Sequence, residues 1–331
     1  MTLPQALQAG IDGLIRGIDP RDLERSARRL SDAYRAGGPP ASRAARTAGD
    51  VAAYLATRAP ATYAAAAEVF HQIRLARPDW KPISVLDLGA GPGIASWAAV
   101  ETWSGISTVT LVEAEPEMVR AGKALAAHGR EALRHARFAT GDAGIVGAQA
   151  DLVIASYVVG EIEPGAVGRF TSHAWAQAAD TIVIVEPGTT AGYERILAVR
   201  AAIIEAGGST LAPCPHDEAC PLVAGDWCHF ATRLPRSRTH RVTKGAERGF
   251  EDEKFSYVVL CRSPHPRPET RVIRRPDSRP GHVVLPLHDR RGRAADGDTQ
   301  RGRRLPARAQ AALGGHGVTD GRGNPGYQAE A

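Results

Sequence analysis

Ile83-Ser-Val-Leu-Asp-Leu-Gly-Ala-Gly-Pro-Gly-Ile-Ala-Ser-Trp-Ala-Ala99 reads as strand, tight turn and helix. Val85, Leu86 and Leu88 form a short apolar run that stops at Gly89, Gly91 and Gly93. Ile94, Trp97 and Ala98 then recur at helical spacing. This is the opening of a nucleotide-binding α/β unit. Glycines let a ligand come up to the backbone, and the helix behind them offers free N–H groups. A G-x-G-x-G run also occurs where a helix merely packs on a strand, so the flanking acids matter. Asp87 stands two residues before the first glycine, and Glu113 ends the next apolar run, Val109-Thr-Leu-Val-Glu113. An anion at Asp87 repels a pyrophosphate. S-adenosylmethionine has no phosphate and carries a cationic amino-acid end, so the stretch favours that ligand over a dinucleotide or bare packing.

From 83 to about 205, strand and helix signals alternate, with strands expected at 83–88, 108–113, 136–139, 151–156 and 181–186. Such alternation predicts an α/β fold with a parallel, doubly wound, Rossmann-like sheet. At the tip of the second strand, Glu113 is expected to accept both ribose hydroxyls, with Glu115 as the fallback. Asp142, in Gly141-Asp-Ala, can bond an adenine amino group or simply cap its loop. The expected cofactor residues are therefore Asp87, Gly89, Gly91, Gly93, Glu113 and Asp142. No catalytic residue is assigned. The fourth strand exits through Ser156-Tyr-Val-Val-Gly-Glu161, without the Asn-Pro-Pro-Tyr or Asp-Pro-Pro-Tyr of exocyclic-amine methylation. Cytosine-C5 methylation needs a nucleophilic Cys, and no cysteine precedes position 214. Glu161 is either a base or a solvated loop acid.

Upstream, residues 1–80 read as a helical cap. Leu7, Ile11, Leu14 and Ile15 make one stripe, Leu23, Leu30 and Tyr34 another, with Gly37-Gly-Pro-Pro40 as a break. Nothing in the cap points to chemistry. The chain has 331 residues and no apolar run near membrane-span length. Its start lacks a basic segment followed by an apolar one, so a cytoplasmic location is expected. The net charge of +5 is uneven: residues 1–231 carry 20 Lys/Arg against 25 Asp/Glu, and residues 232–331 carry 21 against 11. The basic end suits a polyanion such as RNA, or is only solvated. Arg233, Arg236, Arg238, His240, Arg241 and Lys244 form its densest run.

All four cysteines fall between 214 and 261, spaced C-x5-C-x7-C-x32-C. Without a secretory signal, disulfides are not expected. Four thiolates fit a tetrahedral metal or an iron–sulfur cluster on Cys214, Cys220, Cys228 and Cys261. Loops of five and seven residues suit a [4Fe-4S] cluster better than zinc, whose knuckles use C-x2-C pairs. Unmetallated buried thiols are the remaining alternative. His216 and His229 are possible substitute ligands or neighbours.

Leu86-Asp-Leu-Gly-Ala-Gly-Pro-Gly93, Val185-Glu-Pro-Gly-Thr189, Ala212-Pro-Cys-Pro-His-Asp217, Cys220-Pro-Leu222, Asp226-Trp-Cys-His-Phe230 and Phe255-Ser-Tyr-Val258 together resemble the Rsm-twenty-two family. These are methyltransferase-like proteins of the small ribosomal subunit, similar in mitochondria to methyltransferase-like protein 17. The resemblance runs from about 60 to 285. It implies a class I S-adenosylmethionine-dependent methyltransferase fold, a four-iron cluster on the four cysteines, and binding to small-subunit rRNA. It leaves open an rRNA methyltransferase, a non-catalytic assembly factor, and a small-molecule methyltransferase with structural zinc. The expected divisions are a cap (1–80), a methyltransferase core (81–210), a cysteine-rich module (211–265), a short basic β segment (266–287) and a disordered Arg/Gly/Ala-rich tail (288–331).

Overall fold

The computed structural model describes residues 2–35, 47–141, 149–222, 225–244, 247–273, 277–279, 282–291 and 294–300. Asp142 and residues 301–331 of the expected tail lie outside them. The cap forms α1 (Gln5–Ile15), α2 (Pro20–Arg35), α3 (Ala48–Thr57) and α4 (Ala59–Ala76). A reciprocal capping box starts α3. The Thr47 hydroxyl accepts from the Asp50 N–H, and the Asp50 carboxylate accepts from the Thr47 N–H.

The core follows as β1 (Ser84–Leu88), α5 (Ile94–Thr102), β2 (Thr108–Glu113), α6 (Pro116–Ala126), α7 (Glu131–Arg134), β3 (Arg137–Thr140) and β4 (Ala150–Ser156). Next come α8 (Val167–Gln177), β5 (Ala178–Pro187), α9 (Thr190–Glu205) and β6 (Ser209–Ala212). Strands β1 to β5 are parallel in the order β3-β2-β1-β4-β5, a Rossmann-like α/β sheet. Alternate residues face opposite layers. Val85, Ile154, Val183 and Val185 pack under the cap helices and α5. Leu86, Val153, Ile182 and Ile184 pack against α8 and α9.

Beyond β5 the sheet departs from the all-parallel expectation. Strand β8 (Phe250–Cys261) runs antiparallel to β5. Its outer edge is shared by β6, whose Ala212 pairs with Val259, and by β7 (Phe230–Pro235), whose Phe230 pairs with Phe255. The segment 213–229 therefore leaves and rejoins that edge around Tyr257. β7 and β8 are joined through α10 (Arg238–Lys244) and pair antiparallel with each other.

A second antiparallel sheet holds β9 (Thr270–Val272), β10 (Asp277–Arg279), β11 (His282–Asp289) and β12 (Ala294–Gln300), in the order β10-β11-β12 with β9 also on β11. Of the tail expected from 288, residues 288–291 and 294–300 are described and include the end of β11 and all of β12. The ladder His282↔Gln300 through His288↔Ala294 specifies β12 through main-chain bonds, which leave no apolar period in the sequence.

Candidate functional site

The glycine turn sits at the carboxyl ends of β1, β2 and β4. Gly89, Gly91 and Gly93 have φ of 66°, 55° and 80°, the left-handed region that L side chains avoid. Their surroundings differ. A Cβ at Gly89 would overlap the Val158 side chain and one at Gly93 would come within 2.6 Å of Leu111 Cδ2, whereas one at Gly91 would meet open space. Gly89 and Gly93 are thus closely packed on the side a Cβ would occupy, whereas Gly91 is open there; Gly89 and Gly91 both line a cavity. The Gly91 N–H donates to Glu113 Oε2 (2.7 Å), and the Glu115 N–H donates to Glu113 Oε1 (2.8 Å). Burial raises the Glu113 pKa, opposed by these backbone bonds. The Ala114 N–H is a third backbone donor to it; a carboxylate offers about four lone-pair positions, so about one remains for a ligand.

Asp87 is 1 % exposed and accepts from the Ser96 N–H (3.2 Å) and hydroxyl (2.7 Å). It fastens β1 to the first turn of α5, and burial pushes its carboxyl up to about 7 despite those bonds. Asp87, Gly89, Gly91 and Glu113 all line one cavity. Ser156, Tyr157 and Glu161 of the fourth-strand exit line it too, and Tyr54 and Thr62 join them without any sequence signal. Tyr54 and Thr62 come from the cap, so the cap roofs the cavity. Ser156 Oγ is buried without a hydrogen-bond partner among the described residues. Tyr157 holds φ 60°, a strained value for a tyrosine. Its hydroxyl donates to Glu253 Oε1 (2.9 Å), which also pairs with Arg58 (3.0 Å). Below the cavity, buried Glu186 accepts from the Val159 N–H and pairs with Arg195, and burial pushes it up to about 7.

Cys214, Cys220 and Cys228 lie between β6 and β7. Cys214 and Cys228 stand at the neck of segment 213–229, where the Ser256 hydroxyl donates to the Cys228 carbonyl (2.8 Å). Cys228 Sγ donates to the Ile273 carbonyl (3.1 Å), and Cys220 Sγ lies 2.9 Å from the Tyr193 hydroxyl. The Cys214, Cys220 and Cys228 charges all act on Tyr193, raising its pKa after burial itself. Burial pushes the Cys214 thiol up to about 11, while Arg200 and Arg271 pull it down. Cys214 Sγ and a ring nitrogen of each of His216 and His288 lie within 4.8 Å of one another, all buried.

Cys261, expected as the fourth ligand, does not join them. It pairs with Thr181 and Ser209 four residues beyond Tyr257 on β8, about 13 Å along at the rise of a strand. Its sulfur contacts the Ser209 and Ser263 carbonyls and His265 Nδ1 (3.2 Å). His229 turns to the Trp227 ring and carbonyl instead.

Residues 48–304 match the family described as mitochondrial small ribosomal subunit Rsm22. The chain belongs to the Rsm22 family. The match carries past the expected limit near 285 and takes in β11 and β12. The chain is also similar to the human mitochondrial ribosome assembly protein METTL17, at 26 % identity over 263 residues, covering 70 % of this chain and 55 % of that one. The chain thus spans about half the length of the curated relative it matches. Similar solved structures include a putative RNA methyltransferase from Pyrococcus horikoshii (16 % identity, 66 % of this chain and 84 % of that one, TM-score 0.39). Another is the magnesium protoporphyrin IX methyltransferase of Synechocystis with bound SAM (16 % identity, 61 % and 80 %, TM-score 0.40).

In this Rsm22 chain the basic run is largely neutralised from within. Arg233 pairs with Asp252 (2.7 Å), and Arg236, His240 and Lys244 converge on Glu251 (3.1, 3.0 and 2.8 Å). Burial opposes ionisation of Glu251, but the His240 and Lys244 bonds and charges outweigh it and hold the carboxyl far below its usual range. Arg238 and Arg241 are exposed on α10 and outside these pairs. Among the described residues, no helix is long and apolar enough to cross a membrane.

Proposed function

We propose that this chain is an S-adenosylmethionine-binding, methyltransferase-like factor that holds small-subunit rRNA during ribosome assembly, with cytoplasmic ribosomes as the expected setting. The observation that carries the ligand is the cavity over Gly91: an open backbone cradle, spare acceptor capacity on Glu113 and an orphaned Ser156 hydroxyl. Glu113 would accept a ribose hydroxyl, and Asp142 would take the adenine amino group. Family membership and the name of the human relative support the ribosomal setting. Arg238 and Arg241 would meet phosphates. Cys214, Cys220 and Cys228 would hold a metal centre, a [4Fe-4S] cluster ahead of zinc. Arg200 and Arg271 act on Cys214 and favour its thiolate against burial.

Holding is favoured over methyl transfer because three of the acid–base groups at the cavity are already committed, with Glu161 the remaining carboxylate on its lining. Asp87 anchors Ser96, Glu113 anchors the loop, and the Tyr157 hydroxyl is bound to Glu253. Calorimetric titration with S-adenosylmethionine, paired with tritium transfer to immature small subunits, tests this. Binding without transfer is expected. No binding overturns the cofactor site. Transfer that disappears in Glu113→Gln converts the holding factor into an enzyme.

A further inference from the structure

We propose that His288, and not Cys261, completes the ligand set begun by Cys214, Cys220 and Cys228. The inference rests on the metal-centre reading above and concerns which side chain of this chain closes it. His288 is fully buried in β11, and its register is fixed on both sides, against Arg271 of β9 and Ala294 of β12. That pairing delivers its ring to within 4.8 Å of Cys214 Sγ. Cys228 is drawn to the same place: its sulfur meets the Ile273 carbonyl, and the Ile273 N–H donates to the Pro286 carbonyl (3.1 Å), two residues before His288. The three cysteines all come from segment 213–229, which leaves the side facing the second sheet for a ligand from that sheet. Cys261 is excluded by its distance along β8 and by its own contacts.

His216 also lies in the cluster, with both ring nitrogens buried and no hydrogen-bond partner of good geometry among the described residues. It shares a short loop with Cys214, and its carbonyl is held by Arg200 (2.7 Å). It cannot close the side that β11 faces, so it lies against the His288 ring, centroids 6.0 Å apart. Imidazole is an accepted ligand both for zinc and for the irons of a cluster, and in a cluster it raises the reduction potential relative to thiolate. Two buried guanidiniums, Arg200 and Arg271, face Cys214 and offset the thiolate charge. A His288 ligand makes the centre a bolt between two sheets, since the cysteines hang from the edge of β8 and His288 belongs to β11.

The test is metal and sulfide content of anaerobically purified, reconstituted full-length protein and of Cys228→Ser, His288→Ala, His288→Cys, His216→Ala and Cys261→Ser, with electron paramagnetic resonance of the reduced samples. Cys261→Ser and His216→Ala should retain the parent's content. His288→Ala should lower it by at least about tenfold, the scale of loss when metal-site partners are removed. His288→Cys should restore it with a changed resonance and a lower potential, which a merely structural histidine would not produce. The ligand assignment is overturned if Cys261→Ser or His216→Ala empties the site, or if His288→Ala stays loaded. If the parent binds no metal, or Cys228→Ser binds as much, the metal-centre reading itself fails. If zinc fills the parent and follows the same variants, the His288 assignment stands and the cluster is excluded.

Discussion

The glycine turn and the cysteine centre are built over very different spans of chain. At the turn, Asp87 reaches Ser96 nine residues on, and Gly91 reaches Glu113 twenty-two residues on. At the cysteines, Cys228 reaches Ile273 forty-five residues on, and Cys214 meets His288 across two sheets. Closing a longer loop carries more entropy, and nothing local offsets it. The turn is held by one βαβ unit whose strands are buried on both faces. The cysteine centre depends on the second sheet staying docked, and a bound metal would supply free energy to that docking.

The largest expected effect breaks the two regions apart. Cys228→Ser, or chelation of the parent's metal, should strip hydrogen-exchange protection from 213–229, β9 and β11 while leaving 84–113 as protected as before. Helix α10 should also stay protected. His240 and Thr243 are buried, and α10 packs on α2 and α3 without help from the cysteines. Uniform loss of protection would mean that the two regions are one cooperative unit.

The second effect separates packing glycines from the open one. Gly89→Val adds a left-handed φ penalty to an overlap with Val158 and should destabilise by on the order of 3 kcal/mol in urea denaturation. Gly91→Ala meets no atom and should cost about 1 kcal/mol, yet weaken S-adenosylmethionine more than its stability change explains. Equal losses at both positions would remove the distinction.

This contrast also explains what the sequence made legible. Apolar runs ended by Gly89 and Glu113 declared β1, β2 and the turn, because strand, turn and helix follow one another without a gap. β12 was hidden, since its main-chain ladder asks for no apolar period. Cys261 could not be placed beforehand because sequence order says nothing about position along a strand: it ends β8, four residues past Tyr257. His288 could not be found from spacing, as it approaches Cys214 only after β9 and β11 pair. Tyr54 and Thr62 read as ordinary positions of a helical cap until that cap lay over the cavity.

A smaller effect is expected from pH. Asp87 and Glu186 are both raised to about 7 by burial, so each binds a proton more tightly folded than unfolded. The unfolded chain then holds fewer protons between about pH 4 and 7, and stability falls as pH rises through that window and levels off above it. Each group contributes at most about 1.4 kcal/mol per pH unit. Asp87→Asn should flatten the slope between pH 5 and 7. An unchanged slope would show that Asp87 is ionised in the fold.

The smallest effect concerns stability least and partner choice most. Among the basic residues of 233–244, Arg233, Arg236 and Lys244 already face Asp252 and Glu251, while Arg238 and Arg241 project from α10 outside those pairs. Replacing Arg238 and Arg241 by Gln should leave the denaturation midpoint where it is, because exposed charges contribute little to folding. It should lower the salt dependence of binding to single-stranded small-subunit rRNA by about 0.7 in log–log slope per residue. Lys244→Gln should change that slope far less, because its charge is spent on Glu251. The same titration on immature subunits shows whether α10 is the face presented to RNA. Equal slope changes at Lys244 and Arg238 would mean that the internal pairs open on binding, and a slope unaltered by all three would place the RNA elsewhere on the molecule.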